Sequence, residues 1–241
     1  MTMTERRVMN ALFEIVSAFD DFGVRAFVTR RGLGSLSTSS EEPASLVSAR
    51  WDRVRAQLSP SITRVATSRQ VHGAHIISHK DGWTGWLRGG SADGHIAPTR
   101  GTALGISVAD CVPILLAHPS GVVAALHAGW RGIASGILAR GLAAMQTLNA
   151  NPRDIRMHLG PAICGKCYEV GKDVYYAVSG RTIAEKTPID LRGELAIKAR
   201  EAGVRDVSIS EFCTRHNNEH FFSHRAGDSG RQFAFIVADP G

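Results

Sequence analysis

The chain of 241 residues has no apolar run long enough to cross a bilayer. Its N-terminus, MTMTERRVMNALFEIV, carries acidic residues inside the amphipathic part and lacks a small-residue cleavage site after a long apolar core. No signal peptide is read there, and a cytoplasmic protein without a membrane partner is expected. Lysine is scarce, five residues leaving 23 of the 28 basic positions to arginine. These basic residues form no cluster and are not interleaved with aromatics, which argues against a nucleic-acid groove. Cysteine is limited to four residues, too few and too dispersed for a disulfide framework, so a reducing compartment is expected. Internal repeats and low-complexity linkers are also lacking, and one domain over residues 1–241 is the expectation.

What is present is ordinary for a globular protein: 44% hydrophobic and 21% charged residues. The net charge of +6 is carried by arginine, whose planar fork grips carboxylate or phosphate. Apolar spacing predicts helices over 8–19, 44–58 and 133–148. Strands are expected over Arg25–Thr29, Ile62–Ala66, His75–Ser78, Ala103–Val108, Val112–Ala117, Val122–His127 and Ile155–Leu159. The last third alternates again, with helices at Asp173–Val178 and Glu194–Ala202 and strands at Val207–Ser210 and Gln232–Val237. Strands and helices mixed without strict βαβ order predict an α/β (α+β) layered sandwich around a mixed β-sheet.

Three polar residues stand where apolar ones would be expected: His72 in RQVHGAHI, Cys111 in VADCVPILL and His127 in AALHAGWRG. Each lies at or beside the end of a strand-like run. If they converge, two imidazoles and a thiolate make three ligands for a tetrahedral metal with an open fourth position, the arrangement of catalytic zinc. Zinc there lowers the pKa of a bound water to about 7. Asp110 and Gln70 adjoin two of the candidate ligands and are expected to fix the imidazole tautomer. Arg131 is placed to meet an anionic group beside the metal, and Gly129 with Gly132 is expected to leave room for substrate.

Other motifs carry less. Cys164 and Cys167 form a CxxC in GPAICGKCYEVG, but a second CxxC is missing and no thioredoxin-like context precedes it, so inert thiols are expected. His216, His220 and His224 recur every fourth residue among helix-breaking neighbours and are read as solvated, as are His75 and His79. GLGSLS lacks the strand-then-helix setting of a phosphate loop and is read as a turn.

The blocks RQVHGAHI, ADCVPILLA, ALHAGWRG, GPAICGKCYEVG and FCTRHNNEHFFSHRAGDSGRQFAFI together resemble, in order and over nearly the whole chain, the YfiH-like or laccase-domain family of purine nucleoside phosphorylases. That resemblance implies a fold related to bacterial toxin deamidases and makes His72, Cys111 and His127 the zinc ligands; the same donor set also suits one blue-type copper in place of zinc. Asp93, in SADGHIAPTRG, resembles the family's acidic position, and either Asp93 or Asp110 is expected to handle the proton. Arg131 is expected to clamp an anion, and Arg30, Gln70 and Arg225 are assigned to substrate binding. Thr29 and Arg30 resemble the family's TR motif, whereas Leu33, Ser37 and His224 depart from its usual residues and bear on substrate preference.

The implied activity is phosphorolysis of adenosine, inosine, guanosine or methylthioadenosine, with adenosine deamination beside it. Purine nucleoside and phosphate are the expected partners, and a monomer or homodimer the expected assembly. Members have also been called polyphenol oxidases, but this chain has no His-x-His pair for a multicopper site. Three alternatives remain open: editing of peptidoglycan precursors, a Cys111–His127 hydrolytic dyad without metal, and a copper electron-transfer protein.

Overall fold

The apolar runs VPILLA and VAALHA become strands buried at every position and lie side by side at the centre of a sheet, as continuous hydrophobic runs should. A computed structural model describes residues 11–37 and 42–240. Its strands are β1 (Phe13–Val16), β2 (Val24–Thr29), β3 (Arg64–Arg69), β4 (Ile76–Ser78), β5 (Gly85–Ser91), β6 (Gly94–Ala97) and β7 (Thr102–Val108). There follow β8 (Val112–Ala117), β9 (Val123–Ala128), β10 (Arg156–Leu159), β11 (Glu169–Val170), β12 (Thr187–Pro188), β13 (Asp206–Ile209) and β14 (Gln232–Ala238). The helices are α1 (Ala44–Leu58), α2 (Trp130–Ala134), α3 (Ile137–Gln146), α4 (Lys172–Ser179) and α5 (Leu191–Glu201). None is long and apolar enough to cross a membrane.

The layered mixed α/β architecture is present, and its β layer is doubled. One six-stranded sheet runs β1-β2-β14-β7-β3-β5 and the other β13-β10-β8-β9-β6-β4. Side-chain alternation assigns the layers. In β8, Leu115 and Ala117 join Leu104, Ile106 and Ile236 of the first sheet in a core between the sheets. Ile114 and Leu116 face the other way, onto Ile133, Leu142 and Leu195 of the helices. On the outer face of the first sheet, Phe27, Phe235 and Val65 pack on Val54 and Leu58 of α1.

The strand directions create the site. β3 runs parallel to both β5 and β7 in the first sheet, so all three end at the same edge. Each chain segment then crosses to the second sheet, where β4 and β6 are parallel and β9 is antiparallel to β6 and β8. The three crossing loops hold His72, Asp93 and Cys111, and β9 returns His127 to the same end.

Three sequence expectations are corrected. Of the helix over 8–19, Ala11 and Leu12 are helical and residues 8–10 lie outside the described part, but Phe13–Val16 form β1 and Ser17–Phe22 a 3-10 turn. Pairing with β2 wins over helical spacing there, because Phe13 then packs edge-on against Phe27 at 5.4 Å between ring centroids. The helix over 133–148 starts at Trp130 and breaks between Ala134 and Ile137, where Gly136 adopts φ 76°. Strands β5 and β6, absent from the expected strands, form despite their glycines because parallel pairing with β3 and antiparallel pairing with β9 hold them.

Leu126, fully buried in β9, fills the space left by two glycines, since a Cβ on Gly94 or Gly141 would collide with it. Leu126→Ala is expected to lower the unfolding free energy by about 3–5 kcal/mol in a denaturant titration. A loss below about 1 kcal/mol would contradict this packing.

Candidate metal centre

Asp93 organises the crossing loops. Its carboxylate is fully buried and accepts the backbone N–H groups of His72 and Gly73, both at 2.8 Å, and of Val71 at 3.2 Å. The His127 Nδ1 lies 2.9 Å from Asp93 Oδ1. The His127 backbone N–H also donates to the Asp93 carbonyl at 2.7 Å. These bonds hold His72 at φ 60°, a left-handed conformation that a non-glycine residue adopts only when its surroundings impose it. Asp110, just before Cys111, is held at φ 80° by a second set: its carboxylate accepts the Thr214 hydroxyl at 2.6 Å and the Arg225 N–H at 2.7 Å.

The result brings together His72, Cys111 and His127, whose ligand atoms all lie within 4.8 Å of one another. The Cys111 thiol contacts both imidazoles. Burial alone would push that thiol up, but His127 and His72 outweigh it and bring it down to about 6. Burial likewise works against the His127 imidazolium, yet Asp93 and Cys111 raise it to about 9. The Asp93 carboxyl, which burial would raise, is held at about 2 by His127 and the backbone N–H groups. Without a metal the trio is therefore a thiolate beside an imidazolium.

This donor set fits a divalent metal. With Asp93 holding Nδ1, the Nε2 of His127 is left for coordination, the usual arrangement of a carboxylate-oriented histidine ligand. Gly129 makes the approach possible, because a Cβ there would lie 2.9 Å from the Cys111 sulfur. Gly132 has a different task from the one expected: it is buried, and a Cβ would press on the carbonyl oxygens of Gly73 and His127.

The trio lines a cavity of about 690 Å³. Five arginines line it as well, namely Arg69, Arg88, Arg131, Arg225 and Arg231, against a single acid, Asp110. Arg131 lies over the Trp130 ring and Arg225 over Tyr168, at 4.6 and 5.1 Å from the ring centroids. Tyr168 was not singled out from the sequence, where it reads as one more apolar residue of the GPAICGKCYEVG block.

Several expected positions differ. Arg30 does not line the cavity; it pairs with Glu14 and lies against Phe212 and Phe221. Gln70 lines the cavity, but both ends of its amide bind the Ser107 main chain at 2.7 Å, which ties the His72 loop to β7. Asp93, rather than Asp110 or Gln70, meets the His127 imidazole, and it is fully buried and does not line the cavity. His79 is buried and lies 2.8 Å from the ring of His95, whereas His75, His220 and His224 are exposed.

Comparison with known proteins identifies the family and the fold. Residues 29–239 match the family described as multi-copper polyphenol oxidoreductase laccase. A Streptomyces griseus protein named purine nucleoside phosphorylase is 34% identical over 207 residues, 83% of this chain and 84% of that one. The crystal structure of YlmD from Geobacillus stearothermophilus has a TM-score of 0.82 at 28% identity, covering 93% of this chain and 94% of that one. The YfiH protein of Bacillus licheniformis shares the fold, with a TM-score of 0.84 at 24% identity over 94% of this chain and 96% of that one.

In the metal-free protein, iodoacetamide is expected to alkylate Cys111 readily at pH 7, and progressively more slowly as pH falls through about 6 and the thiolate is protonated. Peptide-resolved mass spectrometry measures this. A rate that instead titrates near about 8.5, as an ordinary thiol does, contradicts the pairing.

Proposed function

The chain belongs to the multi-copper polyphenol oxidoreductase laccase family, and from that premise we propose a zinc-dependent purine nucleoside phosphorylase that also deaminates adenosine. The observation that supports this reading most is one cavity in which three metal donors adjoin five arginines. A nucleoside and phosphate need both features: a site for developing charge and a cationic site for the phosphate.

Zinc held by His72, Cys111 and His127 would supply Lewis-acid stabilisation of negative charge developing beside it. Arg131 and Arg225 take the phosphate and orient one oxygen toward C1′ of the ribose. As that oxygen bonds to C1′, the bond from C1′ to purine N9 breaks and its electron pair leaves with the base, which takes up a proton. Of the two candidate acids only Asp110 lines the cavity, so its carboxylate is assigned the relay of that proton from the attacking hydrogen phosphate to the leaving base. Asp93 is a positioning residue, holding His127 and the His72 turn. Trp130 and Tyr168 offer aromatic surface for the purine.

Two rival readings lose support on geometry. A Cys111–His127 dyad needs no third donor, yet His72 sits on the same sulfur. A copper electron-transfer centre needs no substrate space, whereas this trio opens onto a large cationic cavity.

Zinc-loaded protein incubated with adenosine is expected to yield adenine and ribose phosphate only when phosphate is present, and inosine with or without it. Arg131→Ala should raise the KM for phosphate by about 10- to 100-fold, the loss of one charge-assisted hydrogen bond. If no nucleoside is consumed while an aminoacylated cell-wall precursor is cleaved, the proposal fails.

A further inference from the structure

The CxxC that looked incomplete in the sequence is completed in space. Cys164 and Cys167 bracket a 3-10 turn, Gly165–Cys167, in the segment after β10. Cys213 and His216 lie in the segment after β13, joined to the first by a parallel bridge between Ala162 and Cys213. The three sulfurs and a ring nitrogen of His216 all fall within 4.8 Å of one another. The Cys167 sulfur lies 3.1 Å from His216 Nε2, and the Cys164 sulfur 3.7 Å from Nδ1. No disulfide links any of the four cysteines of the chain.

From this arrangement we propose a second metal site, a closed structural zinc centre with Cys164, Cys167, Cys213 and His216 as its four ligands. The donor set is Cys₃His, one of the standard sets for structural zinc, and it leaves no open position for water or substrate. The spacing is that of two knuckles, Cys-x-x-Cys and Cys-x-x-His. Each knuckle is shaped before any metal arrives. The Cys167 N–H donates to the Cys164 carbonyl at 3.0 Å, and the Cys164 N–H points at the Cys213 sulfur at 3.3 Å. The side chain of Asn217 accepts the Cys213 N–H at 3.2 Å. Lys166 and Arg215, one between each pair of ligands, offset the excess negative charge of three thiolates around a divalent ion.

The site also has a task in the fold. The first knuckle belongs to the loop that carries Ile163 and Tyr168 to the cavity wall. The second opens the segment whose Thr214 and Arg225 bind the Asp110 carboxylate. A metal between the knuckles staples these two walls together and shares no ligand with the open donor trio. Its role is to hold the cavity's shape, and the proposal does not depend on which reaction the cavity performs.

The experiment isolates this site by removing the other. Full-length Cys111→Ala protein, loaded with zinc and freed of excess by gel filtration, is expected to keep about one zinc per chain by elemental analysis. With cobalt(II) in place of zinc it should show thiolate-to-metal charge-transfer bands and the intense visible bands of tetrahedral cobalt. Adding Cys164→Ser and Cys213→Ser should abolish both signals, and Cys164→Ser with Cys213→Ser in the otherwise native chain should leave one zinc at the trio and lower Tm. A Cys111→Ala protein that binds no metal under conditions where the native chain does overturns the proposal. So does a Cys164–Cys167 disulfide in freshly purified protein. Because the Cys111→Ala measurement decides alone, poor folding of the serine variants leaves the test intact.

Discussion

The buried carboxylate of Asp93 is the constraint on which the rest of the site depends. It gathers three consecutive backbone N–H groups, Val71 to Gly73, and the Nδ1 of His127. A carboxylate placed in a dry interior without such partners would be strongly penalised. With them it stays ionised, and its bonds impose a left-handed turn on His72 and one orientation on His127. The strands deliver Asp93 to this point because β5 and β6 lie in different sheets and the chain must cross between them. The same crossing delivers His72 and Cys111.

Charge distribution in the cavity follows from the arginine bias of the sequence. Among the described residues several arginines serve structure: Arg25 bridges to Asp239, Arg156 to Asp21 and Asp206, and Arg192 to the carbonyls of Ser210 and Phe212. A minority line the cavity, where their planar forks suit a phosphate better than lysine's point charge would. Two of them lie on aromatic rings, which restricts their conformations before a ligand arrives.

Much of this was legible in the sequence. Helix α1 and strand β8 have the bounds that their apolar spacing indicates, and the three donors stand out as polar residues at the ends of apolar strands. What the sequence could not show was topology. Glycine in β5 hid the crossing that positions Asp93, so the tautomer-fixing role fell to Asp110 and Gln70 by adjacency. The resemblance of Thr29 and Arg30 to the family's TR motif implies a substrate contact at Arg30, whereas in the structure Glu14 on the neighbouring strand pairs with it. The second knuckle escaped notice because its partner residues, Cys213 and His216, lie 46 and 49 positions beyond Cys167.

If Asp93 builds the metal centre, its charge must be felt at the metal while the fold stays intact. The most direct test is the zinc dissociation constant of Asp93→Asn compared with the native chain, measured by competition with a chromophoric chelator at pH 7. Asparagine keeps the shape but loses the charge that orients His127, and zinc binding at the trio should weaken by about 10- to 100-fold, as for other carboxylates behind histidine ligands. An unchanged dissociation constant in a folded Asp93→Asn protein would contradict the account.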